Sequence, residues 1–140
     1  MSSPRPTIGV AVEDAPGPDA DEADEIRLTV PALADFARVV RLAVSGLASR
    51  NGFAYDDVED IRIAVGEVFG VLVDPEGDQG RLRFSTHLTD EGLAVTAERV
   101  PPAPIPAPSE LSDQILAAVV DDVAVDPAVG RVAFTKRYRS

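Results

Sequence analysis

Cysteine and tryptophan are missing from this 140-residue chain, and histidine and methionine occur once each. Without cysteine there are no disulfides, no thiolate metal sites and no thiol nucleophile, and a reducing compartment is the expectation. Aromatic residues make up only 5% of the chain, so a core has to be assembled from Val, Leu, Ile and Ala. Long apolar runs are also lacking. No segment approaches the ~20 apolar residues that span a membrane, and no basic flank leads into an apolar stretch as in a signal peptide. The expected location is the cytoplasm. Basic residues are scarce too: 13 stand against 24 acidic ones, for a net charge of −11. Such a balance opposes contact with a phosphate backbone and favours a basic protein partner over nucleic acid or membrane.

Much of the negative charge is local. Glu13, Asp14, Asp19, Asp21, Glu22, Asp24 and Glu25 crowd into thirteen positions, interleaved with Pro16, Gly17 and Pro18. A segment so poor in apolar residues cannot offset its ordering entropy, so residues 1–25 are expected to form a disordered acidic tail and residues 26–140 the folded domain. One domain suits a chain of this size.

Within the domain, Ile26 to Val30 alternates apolar and polar residues as a half-buried strand does. From Asp35 to Arg50, Phe36, Val39, Val40, Ala43, Val44 and Leu47 follow helical spacing, and Asn51-Gly52 supplies a left-handed stop. A second helix is expected from Tyr55, capped by a carboxylate, with Val58, Ile61, Val65, Val68 and Leu72 on one stripe and an end near Asp74-Pro75. Arg81–Leu88 and Leu93–Arg99 read as a hairpin. Five prolines between Pro101 and Pro108 enforce an extended connector. Ser109 caps a short helix to about Val120, and Val123–Val125 and Arg131–Tyr138 close the chain as strands. The order β-α-α-β-β-α-β-β predicts an α+β two-layer sandwich, with helices on one face of a mixed or antiparallel sheet.

Ile26-Arg-Leu-Thr-Val30, Phe36-Ala-Arg-Val39, Tyr55-Asp-Asp-Val-Glu-Asp60 and Ile63-Ala-Val65-x-Glu67 together resemble the RsbW-like anti-sigma factor serine kinases of the GHKL (Bergerat-fold) ATPase superfamily. The resemblance is close over residues 26 to about 74; beyond that the element order alone matches. It implies a GHKL-type fold. It also implies an alternative RNA polymerase sigma factor and a STAS-domain anti-anti-sigma factor as partners, and a tendency to form homodimers.

The same resemblance exposes departures. The family's second helix carries Glu-x-x-x-Asn, one helical turn apart, the Glu polarising a nucleophile and the Asn holding Mg²⁺ on the ATP phosphates. This chain reads Glu67 and Val71, and a valine offers no oxygen to a hard cation. The family's Asp-x-Gly-x-Gly box corresponds to Ala97-Glu-Arg-Val-Pro101, with neither Asp nor Gly. Its glycine-rich lid corresponds to Pro104-Ile-Pro-Ala-Pro108, and proline supplies no amide donor. Three nucleotide elements fail together. The expectation is a degenerate member without cofactor or metal, with Glu67 as a vestigial catalytic candidate. The competing expectation is an active kinase using ATP and Mg²⁺ to phosphorylate its STAS-domain antagonist, with Glu67 as base.

Function is therefore expected on a surface. The family uses the arginine matching Arg38 to contact partners, and on a helix with this apolar stripe Arg38 lies off the buried face, with Asp35 and Arg41 beside it. The bland alternative is that Arg38 and Arg41 are ordinary solvated helix positions. His87 lacks companions for a metal or triad role, no Gly-x-Ser-x-Gly elbow activates a serine, and Lys136-Arg-Tyr-Arg139 reads as charge protecting an edge strand.

Overall fold

The structure is a computed structural model; it describes residues 25–73 and 80–139, together with the backbone of 11–14. Six strands form one antiparallel sheet in the order β1-β2-β3-β4-β6-β5: β1 Ala11–Asp14, β2 Glu25–Pro31, β3 Arg81–Thr89, β4 Gly92–Val100, β5 Asp122–Asp126 and β6 Arg131–Arg137. Three helices, α1 Ala37–Arg50, α2 Tyr55–Leu72 and α3 Glu110–Val119, cover one face. The architecture is the expected α+β sandwich, with the mixed-sheet option removed.

One added element corrects the expected tail. Ala11–Asp14 pairs antiparallel with β2, Ala11 opposite Thr29 and Asp14 opposite Ile26, so part of the acidic leader is an edge strand. The rest of that leader lies outside the described residues, as does the expected helix end at Asp74-Pro75.

Period-2 alternation explains the two faces of the sheet. On β3, Leu82, Phe84 and Thr86 are buried while Arg81, Arg83 and Ser85 are half-exposed; on β4, Leu93, Val95, Ala97 and Arg99 are buried. Phe84 stacks on Phe69 of α2, centroids 5.9 Å apart and rings 11° from parallel. A fully buried side chain of that size contributes about 3 kcal/mol. On the opposite face Glu98 lies 3.9 Å from Arg83 and 3.3 Å from Arg131, so that surface is polar and ion-paired. The β3–β4 turn depends on Gly92: at φ 153°, a Cβ there would stand 2.1 Å from the Lys136 carbonyl oxygen, closer than any side chain tolerates.

The α2 stripe of Val58, Ile61, Val65, Val68 and Leu72 is wholly buried. Helix α1 turns differently from expectation. Its buried residues are Val40, Val44, Ser45 and Ala48, whereas Val39 and Ala43 are exposed. A short 3-10 turn, Ala34–Phe36, leads into it.

Two further expectations are corrected together. No side chain caps α2, whose N-cap is Ala54. Asp57 instead turns inward, 2% exposed, accepting from Arg139 Nε at 2.8 Å with Lys136 Nζ 3.7 Å away. Lys136 also reaches Asp60 at 3.0 Å and donates to the Val119 carbonyl at 2.7 Å. Strand β6 lies between β4 and β5, so Lys136 is no edge guard; it joins the sheet to the start of α2 and the end of α3.

Candidate functional site

Glu67 lies in the middle of α2, half-buried, where the start of α3 comes close. Ser109 caps α3 as the sequence predicts: its hydroxyl accepts the Ser112 N–H at 3.0 Å. That bond fixes the first turn and aims the Ser112 hydroxyl at Glu67, to which it donates at 2.5 Å. A carboxylate holding a hydroxyl proton at this distance is a strong charge-assisted acceptor. Glu67 is therefore neither a lone solvated carboxylate nor aimed at open space.

Around this pair a depression of about 350 Å³ is lined by Glu67, Gly70, Val71, Pro106, Pro108 and Ser109 among others. Val71 is half-buried and packs against the core edge. The proline segment is anchored from behind. Ala103 and Ile105 donate to the carbonyls of Val129 and Pro127 at 3.2 and 2.9 Å, and Ile105 is buried. Gly130, φ 75°, permits this approach, since a Cβ there would stand 2.4 Å from the Ala103 carbonyl oxygen. Ala97–Val100, where an adenine-reading box would fall, is regular strand within β4.

These residues do not fit a magnesium-bridged triphosphate as the GHKL boxes would hold it. Val71 has no oxygen for the metal, Glu67 is engaged by Ser112, and the prolines cannot supply the bare amides of an anion cradle.

The second candidate region is the beginning of α1. Asp35, Arg38 and Arg41 line one depression of about 350 Å³ with Ala34 and Ala37, so the three predicted partner residues share a surface. Asp35 and Arg38 are exposed and Arg41 half-buried. Arg41 leans on α2: its Nη1 lies 3.2 Å from where a Cβ on Gly66 would be. Position 66 thereby leaves room for the guanidinium, a neighbour relation that sequence reasoning missed. His87, half-exposed, lines a polar depression near Asp90 and Glu91; among the described residues no cluster of His, Asp and Glu could hold a metal.

Fold and site together define a class: an α+β sandwich with three helices on one face of an antiparallel sheet, a carboxylate on the second helix and a proline segment leading into the third. Comparison with known proteins gives the particular relatives. The chain is 45% identical over 73 residues to the serine-protein kinase RsbW of Halalkalibacterium halodurans, covering 51% of this chain and 45% of that protein. It is 34% identical over 76 residues to RsbW of Bacillus cereus, covering 53% and 48%. The chain thus matches about half the length of these curated relatives. Among solved structures, the RsbU and RsbW domains of Rv1364c from Mycobacterium tuberculosis align over 82% of this chain and 32% of that one, with a TM-score of 0.63 and 18% identity, a likeness of fold. No family model matches the chain. The chain is thus RsbW-like: similar to serine-protein kinase RsbW in sequence over about half its length, and similar in fold to a structure that holds an RsbW domain.

Proposed function

We propose that this chain is a cytoplasmic anti-sigma factor that sequesters an alternative sigma factor by binding and releases it to a STAS-type anti-anti-sigma antagonist, without ATP binding or kinase activity. The observation that carries the reading is the site at Glu67: the partner of the carboxylate is Ser112 of α3, and the residue one turn on is Val71. Binding remains as the activity this surface can perform. Arg38 presents a guanidinium fork, and among the described residues it has no ion-pair partner, so it is available to a carboxylate of another protein. No described helix is long and apolar enough to cross a membrane, which accords with a regulator that works on a soluble polymerase subunit.

The competing reading, an active serine kinase, draws on the names of the relatives, both called serine-protein kinases, and on the retained Glu67. Isothermal titration with Mg-ATP, followed by a phosphate-transfer assay on a STAS-domain protein, separates the two. The proposal expects no heat of binding and no transfer; micromolar binding with transfer overturns it.

A further inference from the structure

We infer that the cavity between the end of α1 and strands β2 and β3 binds a small amphipathic carboxylate, with the apolar body inside and the carboxylate at the rim. The cavity measures about 580 Å³, within the range of small-molecule sites, which are mostly apolar with a few placed polar groups. It shares no lining residue with the depression at Glu67, so it is a second and separate place in the fold. The inference does not depend on the anti-sigma reading.

Alternation and helical spacing build it. Every second residue of β2 and β3 faces the helices, with Leu28 opposite Phe84 and Ile26 opposite Thr86. Positions 43, 47 and 50 of α1 lie on one face above them, and the small side chain of Ala43 leaves the space between helix and sheet unfilled. Leu28, Val44 and Phe84, all buried, make the floor apolar. Thr86 interrupts it. This residue is 3% exposed and lines the cavity, yet its hydroxyl makes no hydrogen bond to a described residue. Valine has the same shape without the cost of a buried hydroxyl that lacks a partner, so a threonine here points to a polar atom that the chain does not supply.

Charge selects the carboxylate. Among the described residues that line the cavity, Arg50 alone is charged. It ends α1, is exposed, and has no ion-pair partner among the described residues. Its planar fork of donors matches a carboxylate and repels a cation. Asn51 beside it is held in place: its Nδ2 donates to the Leu47 carbonyl at 2.7 Å, and its own backbone carbonyl accepts from the Tyr138 hydroxyl at 2.9 Å. The rim next to Arg50 is therefore fixed. Asp90 and Glu91 line the adjoining polar depression and not this cavity, so their charge bears on the approach rather than on the seat.

The test is a heteronuclear NMR titration of the full, isotope-labelled chain with three probes that share one alkyl body, decanoate, decanol and decyltrimethylammonium, each below its micellar concentration. Decanoate is expected to bind more tightly than decanol and the ammonium not at all, with shifts at the amides of Leu28, Leu47 and Thr86 and none at Val71. Ala43→Phe, which fills the cavity, is expected to weaken decanoate about ten-fold or more by excluding its apolar body. Arg50→Ala, at an exposed position, is expected to weaken decanoate about five-fold, to the level of decanol. Thr86→Val is expected to weaken it about three-fold or more. Arg62→Ala removes an exposed arginine outside the cavity and is expected to bind decanoate as the parent does. No binding of decanoate, ammonium binding as tight as that of decanoate, shifts centred on Val71, or parental affinity in any one of the three cavity variants overturns the inference. Arg50→Ala keeps the test decisive should Ala43→Phe fail to fold.

Discussion

Replacing Lys136 with methionine keeps the aliphatic stem and removes the charge at the junction of β6, α2 and α3. Three contacts vanish: Asp60 at 3.0 Å, the Val119 carbonyl at 2.7 Å and Asp57 at 3.7 Å. Asp57, 2% exposed, cannot regain water, and the Val119 carbonyl at the end of α3 loses a cation where the helix dipole favours one. Breaking a buried pair on one side costs about 3–5 kcal/mol. Arg139 stays on Asp57 at 2.8 Å and Asp60 is 28% exposed, so the lower end, about 3 kcal/mol, is expected. With a urea m-value of about 2 kcal/mol/M for a domain of this size, the midpoint should fall by roughly 1.5 M. Equilibrium unfolding followed by circular dichroism measures it. The double variant Lys136→Met/Asp57→Leu, which removes the stranded charge, should recover at least ~1 kcal/mol. A single-variant loss under about 0.5 kcal/mol would refute the view of this cluster as a buried structural tie.

Arg38→Glu should leave the fold intact and weaken partner binding by roughly 2 kcal/mol or more, about 30-fold, in a calorimetric titration; unchanged affinity would move the interface away from the start of α1. Val71→Asn restores one family residue, but Ser112 still holds Glu67 and the lid still consists of prolines, so Mg-ATP titration should show no binding; tight binding by that single variant would contradict the account of the pocket. Gly92→Ala places a methyl against the Lys136 carbonyl and should lower stability by more than about 1 kcal/mol, read from the thermal midpoint; an unchanged midpoint would mean the turn relaxes freely.

How much of this was readable in advance depends on the range of the forces involved. The β3–β4 hairpin and the α2 stripe were legible almost to the residue, because alternation and helical period are local signals that burial then obeys. Strand β1 was not: four residues rich in acid carry no apolar alternation, and what recruits them is the open edge of β2. The orientation of α1 differs from expectation at Val39 and Ala43, because its buried face takes in Ser45 and Ala48 beside Val40 and Val44. The carboxylate cap expected for α2 is absent because Asp57 is taken by Lys136 and Arg139, which are distant in sequence and near only after folding. The grouping of Asp35, Arg38 and Arg41 could be read from their spacing of three. The Ser112–Glu67 contact could not, since it joins residues 45 positions apart.

The central claim is that this RsbW-like chain acts by binding through its first helix without using nucleotide. The direct measurement is a calorimetric titration with an alternative sigma factor from the same organism, in nucleotide-free buffer and again with Mg-ATP. The account predicts binding of equal affinity in both, weakened by Arg38→Glu. Absence of binding in both buffers, or binding that appears only with Mg-ATP, would contradict it.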